Sequence, residues 1–499
     1  MLDNIKTSFS LNLKLLVVKV LKRSNLLFFT GIVIGRIFNQ LNHKIIRLFC
    51  FPFLLQKVLI CHKTGISCTQ GIGLGMTITE KILARASGKS DIRPGDVVFA
   101  KIDKVMMHDV SGPGVIKVFS EWEKKGKRLE HVWDPGRVWI TEDHFVPAVD
   151  KISAENIMSL SNWTKKFGIK KYFKYGLGQY GICHTLSHEE ALVLPGEVYV
   201  GGDSHTNTTG AMGAFAVGLG HTDIAYILMN GQIWFKVPET IMFKLTGTKP
   251  DYIMAKDIIL KIIGDIGTDG ANYKTMQFSG SIIGQLGMDE RLTLTNMTTE
   301  AGAKNGIIEP DVITDAYLGE RTNARYFSIL GDSDAEFSET HTYEIDNLEP
   351  VVAKPFSPGN ISASRELQGV EVDKAYIGSC TGAKLEDLQS AAKLLKGKKV
   401  KVRTEVLPAA QSIFMKAMKE GLLNIFLEAG AVVGPPTCGA CCGAHMGVLG
   451  KNEICISTTN RNFPGRMGHV DSQTYLASPL VVAASALTGR ITDPRDIMN

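Results

Sequence analysis

The sequence is poor in cysteine. It holds nine cysteines in 499 residues, and this odd number and low density exclude the disulfide framework of a secreted domain. Charged residues make up 21% and hydrophobic residues 44%, which is typical of a globular enzyme. At this length the chain can form three or four domain-sized cores.

Acidic residues are almost absent from residues 1–75, where ten Lys and Arg accompany Asp3 alone. The remaining residues carry 45 basic and 49 acidic side chains, a net charge of −4. They therefore lack the basic face that nucleic acids require, and they do not interleave aromatic with basic residues. We expect no nucleic-acid partner, and RNA binding is disfavoured.

Residues 1–75 also lack a run long enough to span a membrane. Their longest uncharged apolar run is Leu26–Gly35, and about 20 residues are needed. The segment could be a targeting peptide, although such peptides are usually rich in Ser and Arg, or a functional extension. We favour a true start at Met76, with no membrane partner and a cytoplasmic location. A helix is then expected over Glu80–Ala86, capped by Thr79 and ending near Gly88.

From Met76 onward, short apolar runs alternate with amphipathic stretches. Residues 96–109 and 197–205 are predicted to contain strands that end in polar loops, residues 211–231 a helix, and residues 399–437 a strand, a loop, a helix and a strand. This alternation favours α/β domains with largely parallel sheets, whose ligands bind beyond the carboxyl ends of the strands.

One segment is predicted to be a linker. Residues 346–360 contain three prolines and no helical period. We therefore expect residues 76–350 to form a first pair of domains and residues 351–499 a C-terminal domain, with residues 1–75 an atypical basic, apolar extension.

The strongest local signal is a set of three cysteines. Cys380 lies in GSCTG, and Cys438 and Cys441 form a C-x-x-C in CGACCG. Small residues surround each of them, as iron–sulfur clusters require when backbone N–H groups approach the sulfurs. Three thiolates would leave one iron open to act as a Lewis acid.

Two other interpretations of these cysteines remain open. His445 follows Cys441 closely enough to complete a Cys3His zinc site, and the thiols could be merely structural. Cys442 is expected to be a spectator, because adjacent side chains point in different directions. Cys183 and Cys455 lie in apolar runs and are expected in the core.

Four long motifs together resemble the aconitase superfamily. They are GGDSHTNTTGAMGAFAVGLGHTD at 201–223, GSCTGAKLEDL at 378–388, CGACCG at 438–443 and STTNRNFPGRMG at 457–468. The resemblance covers residues 76–499 and is strongest to the two-subunit hydro-lyases of that superfamily. It implies three α/β/α domains around a [4Fe–4S] cluster on Cys380, Cys438 and Cys441. The mobile fourth domain with its serine base is missing and is expected on a separate small subunit.

The resemblance also implies roles for further residues around a small hydroxy-dicarboxylate substrate, which is dehydrated and rehydrated. His144 would protonate the leaving hydroxyl group, Asp143 would orient it, and Arg461 and Arg466 would bind carboxylates. The expected catalytic residues are Asp143, His144, His184, Asp203 and His205; the expected substrate-binding residues are His108, Asp109, Ser204, Arg461 and Arg466; Asn460 is expected beside the cluster.

One departure from the family pattern is expected to matter. Gln277 stands where relatives commonly carry Glu. Glutamine keeps a hydrogen-bonding oxygen but loses the charge and any proton-relay role. This exchange predicts reduced activity or an altered substrate preference.

Overall fold

The computed structural model describes residues 75–443 and 445–498, so the predictions for residues 1–74 lie outside the described residues. The strands are β1 (Val97–Lys101), β2 (Lys104–His108), β3 (Val138–Thr141), β4 (Lys171–Phe173), β5 (Val198–Gly201), β6 (Phe215–Gly218), β7 (Gln232–Lys236), β8 (Thr240–Thr246), β9 (Thr275–Ser279), β10 (Asn305–Ile308), β11 (Glu339–Glu344), β12 (Val351–Ala353), β13 (Ile361–Ala363), β14 (Lys374–Ile377), β15 (Arg403–Val406), β16 (Val432–Val433), β17 (Ile454–Ser457) and β18 (Gln473–Leu476). The α-helices are α1 (Ile78–Ser87), α2 (Ser111–Lys124), α3 (Lys151–Lys166), α4 (Cys183–Glu189), α5 (His221–Asn230), α6 (Ala255–Ile266), α7 (Met288–Asn296), α8 (Val312–Gly319), α9 (Leu385–Leu395), α10 (Gln411–Lys419), α11 (Leu422–Ala429) and α12 (Pro479–Thr488).

The first sheet is entirely parallel, with the strand order β4-β3-β2-β5-β6. Its central strands are apolar runs that are buried on both faces, as parallel sheets require. Helices α2, α3 and α5 contribute to the same hydrophobic core. The carboxyl ends of β2, β3 and β5 lie side by side, so the polar residues that follow them converge.

The second sheet is also parallel, with the order β10-β9-β8-β11. Helix α6 has a strongly apolar face, and its isoleucines pack in the core of this sheet. Helix α7 contacts α6 and the 3-10 helix Ser204–Met212 that follows β5. Helix α7 therefore lies between the second sheet and the loop beyond the first.

The third sheet has seven strands in the order β13-β12-β18-β17-β14-β15-β16. Five of them, from β18 to β16, are parallel, whereas β12 pairs antiparallel with both β13 and β18. Helices α9 to α12 pack in its core. Strands β1 and β7 form a separate antiparallel ribbon. Within the described ranges, no helix has the length and apolar character needed to cross a bilayer.

The predicted alternation of strands and helices is confirmed, with one wrong element. Residues 211–231 are not one helix, because Phe215–Gly218 form the buried edge strand β6 and helix α5 begins at His221. The left-handed Gly213 precedes this strand, and a short apolar run between glycines fits a buried strand as well as a helix.

Three smaller differences concern boundaries. The cap of helix α1 is Thr77, whose side chain accepts from Glu80 N while Glu80 accepts from Thr77 N; Thr79 lies inside the helix. The helical stretch after β15 is divided at Gly421, which has a φ of 75°. The predicted linker 346–360 contains the buried strand β12, and the domain boundaries themselves stay a prediction.

The cap of α1 generates a stability prediction. Thr77→Val removes the capping oxygen and should lower the melting temperature measured by calorimetry, equivalent to a loss of about 1 kcal/mol. Thr79→Val is the matched control, because the buried Thr79 hydroxyl has no hydrogen-bond partner among the described residues. An equal loss in both variants would contradict the assignment of Thr77 as the cap.

Candidate active site

The three predicted thiols line one buried cavity. Cys380 lies just beyond β14, and Cys438 and Cys441 lie in the loop after β16. Asn296 Nδ2 donates to Cys380 Sγ at 3.1 Å, and Asn460 Nδ2 lies 3.5 Å from the same sulfur. The cavity is lined by His144, Ile182, His184, Asp203, His205, Ser379, Cys380, Cys438, Cys441, Cys442, Asn460 and Arg466.

The donor set fits an iron–sulfur cluster better than a zinc ion. Sulfurs around tetrahedral zinc lie within about 4 Å of one another, since each Zn–S bond is about 2.3 Å. Among the described residues, the sets of three or more ligand atoms within 4.8 Å of one another contain only His and Asp, so the three thiols do not form such a set. A bulky centre between the sulfurs satisfies this spacing.

Burial makes the sulfurs of Cys380 and Cys438 poor free thiolates. It raises the pKa of Cys380 to about 12 and the pKa of Cys438 well above its ordinary value, and the neighbouring negative groups act in the same direction. A bound metal reverses this preference because metal-bound thiols are deprotonated. Amide donors such as Asn296 and Asn460 then stabilise the negative charge on sulfur.

Asp143 and His144 follow β3 and form a buried ion pair. Asp143 Oδ1 lies 2.7 Å from His144 Nδ1, and Asp143 Oδ2 accepts from Cys183 N at 2.7 Å. Burial opposes both charges, but the pair outweighs it: the pKa of His144 is raised well above its ordinary value and the pKa of Asp143 is lowered. His144 Nε2 is therefore a protonated nitrogen on the cavity wall.

Asp109 holds the loop that carries this pair. Its carboxylate accepts from the backbone N–H groups of Asp143, His144 and Phe145 at 3.1, 3.0 and 2.7 Å. Burial and the charge of Asp143 raise its pKa to about 6. The carboxylate thus faces the loop and leaves little capacity for a substrate.

His108, at the end of β2, stacks on His144 with ring centroids 4.3 Å apart. Its Nδ1 accepts from Val110 N at 3.2 Å, so its proton resides on Nε2, 3.7 Å from Asp203 Oδ2. Burial and the charge of His144 lower the pKa of His108 to about 4. His108 is therefore a neutral hydrogen-bond donor beside a charged imidazolium.

Asp203, which follows β5, binds the two remaining histidines, His184 and His205. Its Oδ1 accepts from His184 at 2.7 Å and from His205 N at 2.8 Å, and its Oδ2 lies 3.9 Å from His144 Nε2. Burial opposes the carboxylate, but His184 and His205 lower its pKa well below the ordinary value. Ser204 is exposed beside it, with Oγ 3.4 Å from His205 Nδ1.

Glu300 was missed by the sequence analysis. Its Oε1 accepts from His205 Nε2 at 2.7 Å and from Arg461 Nε at 2.8 Å, and these partners outweigh burial and lower its pKa. Asn296 was missed as well. Both lie in TNMTTEAGA, 295–303, where an acid and an amide within a small-residue stretch were the available signal.

Arg466 enters the cavity from the loop after β17. Its Nε has no hydrogen-bond partner among the described residues. Burial opposes its charge, but the neighbouring Cys441 raises its pKa. The loop approaches the thiols closely, since a Cβ on Gly443 would lie 2.9 Å from Arg466 O. A half-buried guanidinium that lines the cavity is suited to binding an anionic group.

Gln277 lies away from this cavity. It is on β9, where its Nε2 lies 3.3 Å from Glu309 Oε1 and its side chain lines a different cavity at the edge of the second sheet. Gln277 is therefore not among the residues that line the thiol cavity, and its expected effect on activity or substrate preference stays a prediction. Cys183 and Cys455 are in the core as predicted, but Cys442, expected to be a spectator, lines the active-site cavity.

Comparisons with known proteins identify the family. The model of the aconitase family (aconitate hydratase) matches residues 80–366 and 360–489. A 3-isopropylmalate dehydratase large subunit of Heliobacterium modesticaldum is 49% identical over 426 residues, which cover 85% of this chain and 100% of that protein. The Aquifex aeolicus protein of the same name is 48% identical over 432 residues, 85% of this chain and 98% of that one.

A further relative has a similar name and a similar identity. A 3-isopropylmalate dehydratase large subunit 1 of Pyrococcus abyssi is 48% identical over 430 residues, 85% of this chain and 100% of that protein. A solved structure, Thermococcus kodakaraensis aconitase X in its holo-form, is 13% identical and covers 75% of this chain and 89% of that chain with a TM-score of 0.43. At that distance it adds nothing to the description of the fold.

The ion pair at the cavity generates a titration prediction. Asp143→Asn removes the charge that holds the proton on His144, so the pKa of His144 should fall and its imidazolium should be lost at lower pH than in the wild type. NMR of 13C-labelled histidine measures this titration. Asp150→Asn, which changes a helix cap without touching His144, should leave the signal unchanged. An unaltered His144 titration in Asp143→Asn would refute the pairing.

Proposed function

The chain belongs to the aconitase family, and from this premise we propose that it is the large subunit of a 3-isopropylmalate dehydratase. The enzyme would interconvert 2-isopropylmalate and 3-isopropylmalate by dehydration and rehydration, a step of leucine biosynthesis. The observation that carries the proposal is the likeness, close to half of all residues, to relatives of that name along their whole length.

The proposed cofactor is a [4Fe–4S] cluster on Cys380, Cys438 and Cys441. The three thiols that line one cavity and the amide donors of Asn296 and Asn460 support it. When bound, such a cluster supplies a Lewis acid at the iron that no cysteine holds, and this favours departure of a hydroxyl group. Ser379, which has a φ of 71°, keeps the backbone beside Cys380 in the left-handed region, and such strain is typical of functional loops.

His144 is the proposed general acid. Its Nε2 carries a proton at neutral pH because Asp143 stabilises the imidazolium, and the leaving hydroxyl group receives that proton. A neutral His144 would instead have to take up a proton from solvent for each turnover. Asp109 orients the loop and His108 stacks on the imidazole ring of His144, so the Nε2–H bond has a fixed orientation.

Arg461 and Arg466 are proposed to bind substrate carboxylates. Arg461 is already oriented by Glu300, while Arg466 lines the cavity. Asp203 places His184 and His205 around the same space. Nε2 of each ring is already paired with a carboxylate, so only a protonated imidazole has a second N–H that can donate to a substrate carboxylate. The arrangement concentrates positive charge where a dicarboxylate develops carbanion character, which stabilises the transition state.

The carbon-bound proton requires a base that we assign to a partner. The relatives are named large subunits, and a large subunit implies a small one. The small subunit would supply the serine base and complete the pocket for the substrate side chain. Substrate selectivity, including the alternatives homocitrate, dimethylmalate and citramalate, would then depend mainly on that partner.

The cluster assignment predicts a metal content. Anaerobically purified protein should hold roughly four iron and four sulfide per chain, and Cys380→Ser, Cys438→Ser or Cys441→Ser should each lose most of both. Cys455→Ser is the matched control, since Cys455 is buried in β17 of the same sheet. Cys442→Ser, one residue from Cys441, should also retain the cluster. Zinc in place of iron and sulfide would overturn the assignment.

The substrate assignment predicts an activity that needs both subunits. The loaded chain mixed with its small subunit should convert 2-isopropylmalate to 3-isopropylmalate, and the chain alone should be inactive. His144→Gln should lower kcat by about 10²–10⁴-fold, the usual contribution of a general acid, without loss of iron. Turnover of homocitrate or citramalate with none of isopropylmalate would contradict the assignment.

A further inference from the structure

Lys256 is a buried lysine that neither the proposed chemistry nor the sequence motifs account for. It lies near the start of helix α6, beneath the second sheet, and is 1% exposed. Its side chain leaves that helix and reaches the third sheet. There it donates to Thr381 Oγ1 at 3.1 Å, Thr458 O at 2.6 Å and Thr459 O at 2.5 Å.

These three acceptors belong to the loops that surround the thiols. Thr381 directly follows Cys380, and Thr459 directly precedes Asn460, which donates to the Cys380 sulfur. Thr381 Oγ1 also donates to Thr458 O at 2.9 Å. The nitrogen of Lys256 therefore joins the loop after β14 to the loop after β17 directly behind the proposed cluster.

The hydrogen bonds require the charged form of Lys256. Carbonyl oxygens only accept, and the single hydrogen of the Thr381 hydroxyl is already donated to Thr458 O. All three partners of Nζ therefore accept from it, and only an ammonium has three hydrogens to donate. Burial and the neighbouring Lys384 lower the pKa of Lys256 to about 7, whereas the side chains of Cys380, Asp387 and Cys441 act in the opposite direction.

This charge has no carboxylate partner among the described residues. The ion pairs of the described chain do not include Lys256, although the other buried lysines are paired: Lys384 with Asp387 at 2.8 Å and Lys374 with Glu405 at 2.8 Å. A buried charge without a counter-charge is strongly destabilising. An anionic group behind the two loops would remove that penalty.

We propose that Lys256 supplies a counter-charge to the iron–sulfur cluster from behind the two loops and raises its reduction potential. The inference rests on the proposed function, since it presumes that a cluster occupies the thiols. A cubane core held by three thiolates is net negative, so a fixed ammonium behind it stabilises the cluster and favours uptake of a further electron. Lys256 is a positioning and tuning residue and has no contact with the substrate.

The experiment compares variants that separate charge from hydrogen bonding. Lys256→Gln can still donate to the two carbonyls but is neutral, Lys256→Met removes both properties, and Lys256→Arg keeps the charge. Lys374→Met is the matched control, because it removes a buried lysine of the third sheet whose charge is balanced by Glu405. Iron and sulfide content, circular dichroism and a dye-mediated redox titration followed by EPR are measured on each loaded protein.

The Gln and Met variants should be harder to reduce than the wild type by at least tenfold in the one-electron equilibrium, which equals 59 mV. The Arg variant and Lys374→Met should stay near the wild-type potential. If Gln and Met fold but load no cluster while Arg loads one, the need for a buried positive charge is equally supported.

Two results would overturn the inference. A loaded Gln or Met variant with the wild-type potential would show that Lys256 only holds the loops together. Failure of Arg, Gln and Met alike, with the fold intact, would show that shape rather than charge matters. Absence of any cluster from the wild-type protein would instead be a failure of the proposed function, which separates the two hypotheses.

Discussion

The arrangement of the site depends on two groups of Asp143, its side-chain carboxylate and its backbone carbonyl. Its carboxylate binds His144 Nδ1 and Cys183 N, and its backbone carbonyl accepts from Cys438 N at 2.9 Å and from Thr437 Oγ1 at 2.7 Å. The loop after β3 is thereby joined both to helix α4 and to the cysteine loop of the third sheet. The proton-carrying imidazole and the first cysteine of the C-x-x-C pair are fixed by the same residue.

Around Asp143, acidic side chains alternate with histidine and arginine side chains, and each stabilises the charge of its neighbours. His144 lies between Asp143 and Asp203, Asp203 lies between His184 and His205, and Glu300 lies between His205 and Arg461. Each group alone would be costly to bury, because an unpaired charge in a protein interior loses its hydration without compensation. The series is therefore cooperative, and deleting one member leaves its neighbours unpaired.

Local sequence signals predicted the strands and loops that are determined by short segments of the chain. Apolar runs followed by polar residues marked the strands and the loops of the first and third sheets, and the cysteine spacing marked the cluster loops. What could not be predicted was which distant residues meet. Asn296 contributes from the last residue of helix α7, Glu300 from the turn after it and Lys256 from helix α6, through contacts across 80 to more than 200 residues that no local pattern contains. Gln277 shows the converse: a departure from the family pattern drew attention although the side chain faces another cavity.

The convergence of three sheets on one cavity also constrains how the protein is made. The groups that surround the thiols come from positions as far apart as His144 and Arg466, so a ribosome must release nearly the entire chain before the pocket can close. When Cys380 leaves the ribosome, Asn460 and the loop after β17, which Lys256 binds, have not yet been synthesised. The order of synthesis therefore separates the first cysteine of the cavity from the groups that later surround it, and the complete pocket is a property of the folded chain alone.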